Sequence, residues 1–221
     1  MRFTTPSKKV EVRGSIPQTE DILLAIDFRK QAYSEQIWGS GGAFQTYVTP
    51  MWERSNKPVC VLFTDKESPA EGDNAWFDTW VPLTASKNYR MVCLWRWGST
   101  TDSYIQFRLY HRDGSYLYDA RVRYVPSTDA WEYLDENNSW QTIGSQKLHI
   151  HTCHLLEFSV DFNTGKYKKL VSAGEEFDLS AYSMYKKSDT SELATGSQVH
   201  VYSDGTDYAE AELFWIYITE G

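Results

Sequence analysis

The sequence predicts an all-β fold, a two-sheet antiparallel sandwich. Three observations carry this. Aromatic and β-branched residues are abundant, apolar residues recur at every second position in several runs, and turn signals separate those runs. Trp, Tyr and Phe make up 15% of the 221 residues, and such side chains suit a pleated, half-buried surface. Helical stretches rich in Ala, Leu and Glu are scarce. Many short strands with turns between them argue for a sandwich or barrel. A chain of this length can still be one domain in such a fold. No repeat or linker interrupts it, so a single domain over 1–221 is expected. Its polar first stretch, 1–20, carries Pro6 and Pro17 and reads as an N-terminal arm or edge strand.

The elements follow from period-two alternation. Ile22, Leu24, Ile26 and Phe28 alternate with Leu23, Ala25 and Asp27 in a first strand. The Gly- and Ser-rich stretch 33–42, with Trp38, reads as a loop. Strands are expected over 44–52 and 58–64, and a loop over 65–74, where Pro69, Gly72 and Asp73 cluster. In the strand 89–97, Val92 and Leu94 face one way and Cys93, Trp95 and Trp97 the other. The clearest hairpin sets Ile105, Phe107 and Leu109 against Gln106, Arg108 and Tyr110, turns at Asp113-Gly114, and returns with Tyr118, Ala120, Val122 and Tyr124 opposite Asp119, Arg121 and Arg123. Asp-Gly accepts the positive φ of tight hairpin turns. A second hairpin places Leu156, Phe158, Val160 and Phe162 opposite Glu157, Ser159 and Asp161, turns at Asn163-Thr164-Gly165, and returns over 166–171. A short helix is expected near 179–185. The closing strand, 210–218, is apolar on both faces after Glu212, which predicts burial from two sides.

Composition excludes several function classes. The net charge of −8 argues against nucleic acid and anionic membranes as partners, because phosphate binding needs an excess of Lys and Arg. No run approaches the apolar length of a membrane span. Three cysteines, Cys60, Cys93 and Cys153, cannot all pair within one chain. They read as reduced thiols, and with a polar, leaderless start at 1–9 they tilt the expectation toward the cytoplasm.

The segment Leu156-Glu157-Phe158-Ser159-Val160-Asp161-Phe162-Asn163-Thr164-Gly165-Lys166-Tyr167, continuing to Gly174-Glu175-Glu176-Phe177-Asp178-Leu179-Ser180, resembles the concanavalin A-like lectin and glucanase jelly rolls, a group that includes laminin-G-like domains. The closing strand, 211–219, resembles theirs as well. The resemblance covers about a third of the chain and implies two curved antiparallel sheets, with ligands often bound on the concave one. It implies no particular activity, since jelly rolls host many functions.

The candidate ligand-binding residues are Trp95, Trp97, Gln106, Arg108, Tyr110, Arg121, Arg123 and Glu157, the non-core side chains of the central strands. Aromatic faces stack on sugar C–H faces, while Arg, Gln and carboxylates hydrogen-bond hydroxyls, so an oligosaccharide is the expected ligand. The competing reading is an ordinary solvated sheet face with charge pairs such as Asp119 with Arg108 or Arg123. Catalysis is less well supplied. A retaining glycosidase needs two carboxyl groups about 5–5.5 Å apart. The Glu-x-Asp-x-Glu runs of glucanases of this fold are absent, and neither Glu132–Glu136 nor Glu210 with Glu212 has their pattern. A lyase acting on an acidic polysaccharide needs Arg or Gln at the uronate carboxylate and Tyr or His to move the proton. Gln106, Arg108, Tyr110, Arg121 and Arg123 supply such groups, but the Arg-Ser-Glu-Leu-Arg-like and Gln-Ile-His strands of jelly-roll alginate lyases are not found. His149, His151 and His154 beside Cys153 offer zinc-ligand chemistry without a zinc motif, and read as edge or surface histidines. The group of folds also admits a structural calcium on loop carboxylates such as Asp204 and Asp207. No Gly-x-Ser-x-Gly elbow is present, and Cys153 and His154 would point to opposite faces of a strand. The expectation is a binding domain without cofactor, metal or catalytic residues. A polysaccharide-acting enzyme and a structural domain whose hollow face is covered are the alternatives.

Overall fold

The computed structural model describes residues 22–27, 37–40, 47–50, 58–64, 68, 70–98, 103–206 and 208–221. The strands, in chain order, are β1 (Ile22–Asp27), β2 (Ile37–Ser40), β3 (Tyr47–Pro50), β4 (Pro58–Phe63), β5 (Glu71–Val81), β6 (Asn88–Trp97), β7 (Tyr104–Arg112), β8 (Tyr116–Val125), β9 (Ala130–Leu134), β10 (Trp140–Ser145), β11 (Cys153–Asp161), β12 (Lys166–Ser172), β13 (Glu175–Asp178), β14 (Tyr185–Ser188), β15 (Ala194–Asp204) and β16 (Glu210–Glu220). They form two antiparallel sheets. The first runs β13-β12-β11-β6-β16-β4-β3, with β1 also on β16. The second runs β10-β9-β8-β7-β15-β5-β2, with β14 also on β8. Two long strands change partner along their length. β16 pairs with β4 over Glu210–Leu213 and with β1 over Trp215–Thr219. β8 pairs with β14 up to Asp119 and with β9 from Val122 onward.

The sandwich is an all-β jelly roll, as expected. Alternation decides which side of each strand is interior. The first sheet contributes Met91, Cys93, Trp95, Trp97, Leu156, Phe158, Val160, Leu213, Ile216 and Ile218 to the core; the second contributes Phe77, Ile105, Phe107, Leu109, Val122, Tyr124, Trp131, Val199 and Val201. Its centre is aromatic. Trp95 meets Phe107 edge-on at 5.5 Å between ring centroids, and Tyr124 tilts against Trp131 at 5.4 Å. Such tilted contacts suit ring quadrupoles. At one end of the core, His111 stacks on Phe162 and hydrogen-bonds the Thr195 hydroxyl at 2.9 Å.

Several expectations are corrected. A strand, β2, lies inside 33–42, and β3 occupies only Tyr47–Pro50 of the strand expected over 44–52. No strand is expected over 71–81, yet β5 is among the longest. Its first residues carry turn chemistry: Gly72 has φ 87°, and Asp73 accepts the Ala70 N–H. These signals mask the alternation of Ala75, Phe77 and Val81 further along. The Trp131–Trp140 region is itself a hairpin, β9–β10, closed by Asp135, whose Oδ1 accepts the N–H groups of Asn137 and Ser139. No helix forms over 179–185. Leu179 and Met184 both point into the core, and one turn from Leu179 to Tyr182 leads into β14. The outer residues Trp215 and Tyr217 of β16 are half-buried, not enclosed as predicted. The proposed arm at 1–20 lies outside the described residues.

One cross-sandwich contact anchors the outer side of the second sheet. Where β8 exchanges β14 for β9, no strand among the described residues pairs with Arg121 on that side. Tyr167 of β12 fills the gap from inside the core. Its hydroxyl accepts the Arg121 N–H at 3.0 Å and donates to the Leu134 carbonyl at 2.7 Å. Tyr167→Phe would leave two buried backbone groups unsatisfied and should cost about 3 kcal/mol, read as a lower midpoint in denaturant unfolding with an unchanged slope.

Candidate functional site

The outward side of the second sheet carries a dense polar and aromatic array. The alternation that sends Ile105, Phe107 and Leu109 inward leaves Gln106, Arg108 and Tyr110 outside. By the same rule β8 presents Asp119, Arg121 and Arg123, β15 presents Gln198, His200 and Tyr202, and β5 presents Trp76, Asp78 and Trp80. The ladder aligns them in rows across the strands. Asp78, Gln198, Arg108 and Arg121 form one row; Trp76, His200, Gln106, Arg123 and Glu132 form the next.

A hydrogen-bond chain runs through this array. Asp119, 1% exposed, is held by two guanidinium groups at once. Arg108 donates to it from Nε at 2.7 Å and Nη2 at 2.9 Å, and Arg121 from Nε at 3.0 Å and Nη2 at 2.6 Å. Burial alone would raise the Asp119 pKa; the Arg108 charge and the Arg121 bonds outweigh it and hold the carboxyl below the usual range. Arg108 Nη1 also donates to Gln198 Oε1 at 2.6 Å. That oxygen faces His200 Nε2 at 3.0 Å, and His200 Nδ1 faces the Tyr202 hydroxyl at 3.2 Å. Burial first, and then the charges of Arg108 and Arg121, push His200 down to about 3, so the ring is neutral at ordinary pH. An amide oxygen only accepts, so the ring proton sits on Nε2 and Tyr202 donates to Nδ1. The Gln198 amide reaches Asp78, whose carboxyl is raised by burial.

Rings fill the space between these groups. Trp76, His200, Tyr202 and Tyr104 stack in succession, with centroid separations of 5.5, 5.6 and 4.7 Å. Arg123 lies over Tyr104 at 4.7 Å and over Trp140 at 4.2 Å, and its Nε donates to Glu132 at 2.6 Å. Tyr110 crosses β15 at Gly196, where a Cβ would sit 2.4 Å from its ring, so only glycine admits it there. Arg108 covers the Tyr110 ring at 4.8 Å. Burial, reinforced by Asp78, pushes its phenol up to about 12. Beside it, Trp80 stands 62% exposed. Two polar atoms in this array lack partners, Asp78 Oδ1 and Gln106 Nε2.

The structure brings together Gln106, Arg108, Tyr110, Arg121 and Arg123. It separates the other three expected site residues from them. Trp95 and Trp97 are core: the phase read along their strand is right, but their bulk fills the sandwich and Val92 and Leu94 face outward instead. Glu157 is on the outer face of the first sheet, 3.0 Å from Lys169 and 3.8 Å from Arg90. The histidine group does not converge either. His154 is buried, with Nε2 against the His149 carbonyl at 2.9 Å. Glu212 is buried and ion-paired with Arg96. Among the described residues no group of three or more His, Cys, Asp or Glu side chains is placed to hold a metal ion; Asp207, one of the two suggested calcium ligands, lies outside them.

Sequence reading misses Trp76, Asp78, Trp80, Tyr104, Gln198, His200 and Tyr202. A usable signal is present for three of them. Gln198, His200 and Tyr202 alternate with Val199 and Val201, which puts three polar side chains on one face of a strand. Gln198-Val199-His200 also has the spacing of Gln-Ile-His, with Val in place of Ile.

Asp119→Asn would leave two guanidinium groups sharing no carboxylate. It should destabilise the fold by about 3 kcal/mol, measured by denaturant unfolding at pH 7. His200 gives a pH dependence of known sign. Its folded pKa lies below the unfolded value of 6.5, so its contribution is complete above about pH 6.5 and falls as pH drops toward 3. The slope approaches about 1.4 kcal/mol per pH unit. Unfolding curves between pH 7 and pH 4 should be flatter for His200→Gln than for the native chain.

No family model matches this chain, and no curated protein does. Solved structures share its fold. Alginate lyase vAL-1 from Chlorella virus superposes with a TM-score of 0.59 at 10% identity, over 91% of this chain and 100% of that one. A carbohydrate esterase from the Shiga toxin-encoding bacteriophage phi24B gives 0.58 at 13% identity, over 91% and 99%. The lectin UEA-II, in complex with galactose, gives 0.53 at 11% identity, over 91% and 99%. At such identities the likeness establishes architecture: the chain has the concanavalin A-like jelly-roll fold.

Proposed function

We propose that the outer face of the second sheet binds an oligosaccharide. The observation that carries this is the hydrogen-bond chain from Arg121 through Asp119, Arg108, Gln198 and His200 to Tyr202, which holds polar groups in fixed positions beside an exposed indole, Trp80. Sugars present hydroxyl groups that both donate and accept, on a ring whose C–H faces stack against aromatic surfaces. Asp78 Oδ1 is an acceptor without a donor, and Trp80, aligned across the ladder with Gly196 and Tyr110, offers a bare ring. Fixing such groups in advance lowers the ordering cost of binding. Structural neighbours named as a lectin, an alginate lyase and a carbohydrate esterase support the reading.

A second reading, a polysaccharide lyase, is favoured by one observation. The Tyr202 hydroxyl and the His200 imidazole lie within hydrogen-bond distance, at 3.2 Å, and are the residue types that move a proton in such chemistry. It predicts new ultraviolet absorbance from the carbon–carbon double bond that elimination creates.

A glycan array followed by titration calorimetry tests the first reading. Trp80 is exposed, so Trp80→Ala should leave the melting temperature within a degree or so of the native value. Its affinity for the best glycan should fall at least ~10-fold, about 1.4 kcal/mol. Absence of binding across the array, or native affinity in the variant, would refute the assignment.

A further inference from the structure

Gln106 is the hub of the outer face. Across the ladder it lies between His200 and Arg123; along β7 it lies between Tyr104 and Arg108, and Arg121 stands opposite Arg108. The residue is only 2% exposed, yet its amide nitrogen has no hydrogen-bond partner. Buried donors are nearly always matched, and an unmatched one at a site asks for an acceptor. The acceptors around it are already engaged. Both Asp119 oxygens take Arg108 and Arg121. Gln198 Oε1 takes Arg108 and His200, and His200 Nδ1 takes Tyr202. Glu132 takes Arg123, which also donates to the Tyr104 oxygen and so leaves the Tyr104 proton free to be given.

Charge selects among acceptors. Three guanidinium groups, Arg108, Arg121 and Arg123, surround Gln106; Asp119 and Glu132 pair with them, and Asp78, on β5 beyond Gln198, adds a third carboxylate that interacts with Arg108 and whose charged form burial disfavours. Arg121 and Arg123 keep a wetted edge, at 27% and 19% exposure. In a protein of net charge −8 this gathers guanidinium donors at one place, and charge-assisted bonds from guanidinium groups to oxyanions are the strong ones.

We propose that the saccharide carries an anionic substituent, a carboxylate or a sulfate ester, that seats over Gln106 between Arg121, Arg123 and Tyr104. This rests on the saccharide reading and names the ligand class within it. Titration calorimetry with three probes of equal length decides it: an oligouronate, a sulfated galactan oligosaccharide and a neutral cello-oligosaccharide. One acidic probe should bind at least ~10-fold more tightly than the neutral one and weaken as sodium chloride is raised; which acidic probe wins separates carboxylate from sulfate. Gln106→Glu should lower that affinity at least ~10-fold. Tyr104→Phe, which keeps the stacked ring, should lower it several-fold. If Gln106→Glu fails to fold, Arg123→Gln on the wetted rim replaces it with the same expected loss. Equal binding of neutral and acidic probes, or acidic affinity indifferent to these substitutions, overturns the anionic seat while leaving saccharide binding intact. Failure of every probe, and of every glycan on the array, overturns both.

Discussion

A single buried carboxylate organises the outer face of the second sheet. Asp119 takes four charge-assisted bonds from Arg108 and Arg121, which stand opposite each other on β7 and β8. Two like charges facing across a ladder repel. Placed two residues along β8 from Arg121 and diagonally from Arg108, the carboxylate turns that repulsion into a clamp. Once Arg108 is held, its remaining nitrogen orients Gln198, Gln198 orients His200, and the ring tautomer is set in turn. The order of this hydrogen-bond chain descends from one residue with almost no water contact.

The clamp is tied to the core through Arg121. Its backbone N–H, at the point where β8 changes partner, is met by the Tyr167 hydroxyl from the opposite sheet. A phenol thereby replaces a missing strand, and the cross-sandwich contact sets the height at which the Arg121 guanidinium emerges. The aromatic centre built by Trp95, Phe107, Tyr124 and Trp131 supplies the rigid floor beneath. Close packing of that kind transmits small displacements rather than absorbing them, so the outer face inherits its precision from the inner one.

The same face supports two chemistries without contradiction. Fixed donors and an exposed indole suit recognition of a sugar; a phenol within hydrogen-bond reach of an imidazole supplies the residue types that proton movement on one would use. The glycosidase reading gains nothing from the structure, because Asp119 and Glu132 are committed to arginines and Glu212 lies on the other sheet, paired with Arg96.

Much of the fold was legible in the sequence alone. The β7–β8 and β11–β12 hairpins, their turns and their inward faces were readable, because period-two alternation and a Gly-bearing turn are local properties. So were Gln106, Arg108, Tyr110, Arg121 and Arg123 as one outward set, since they occupy a single hairpin. Trp95 and Trp97 were misplaced because alternation gives the phase of a strand and not which phase is interior. That choice depends on the facing sheet, where Phe107 and Tyr124 needed large partners. Gln198, His200 and Tyr202 reached the site only through pairing of β15 with β7, about 90 residues away in the chain, and Trp76, Asp78 and Trp80 only through pairing of β5 with β15. The sequence by itself determined the strands and their two sides. Tertiary structure alone decided which strands became neighbours, because hydrogen bonding between distant strands follows the topology of the whole sandwich and leaves no trace in any local run of residues.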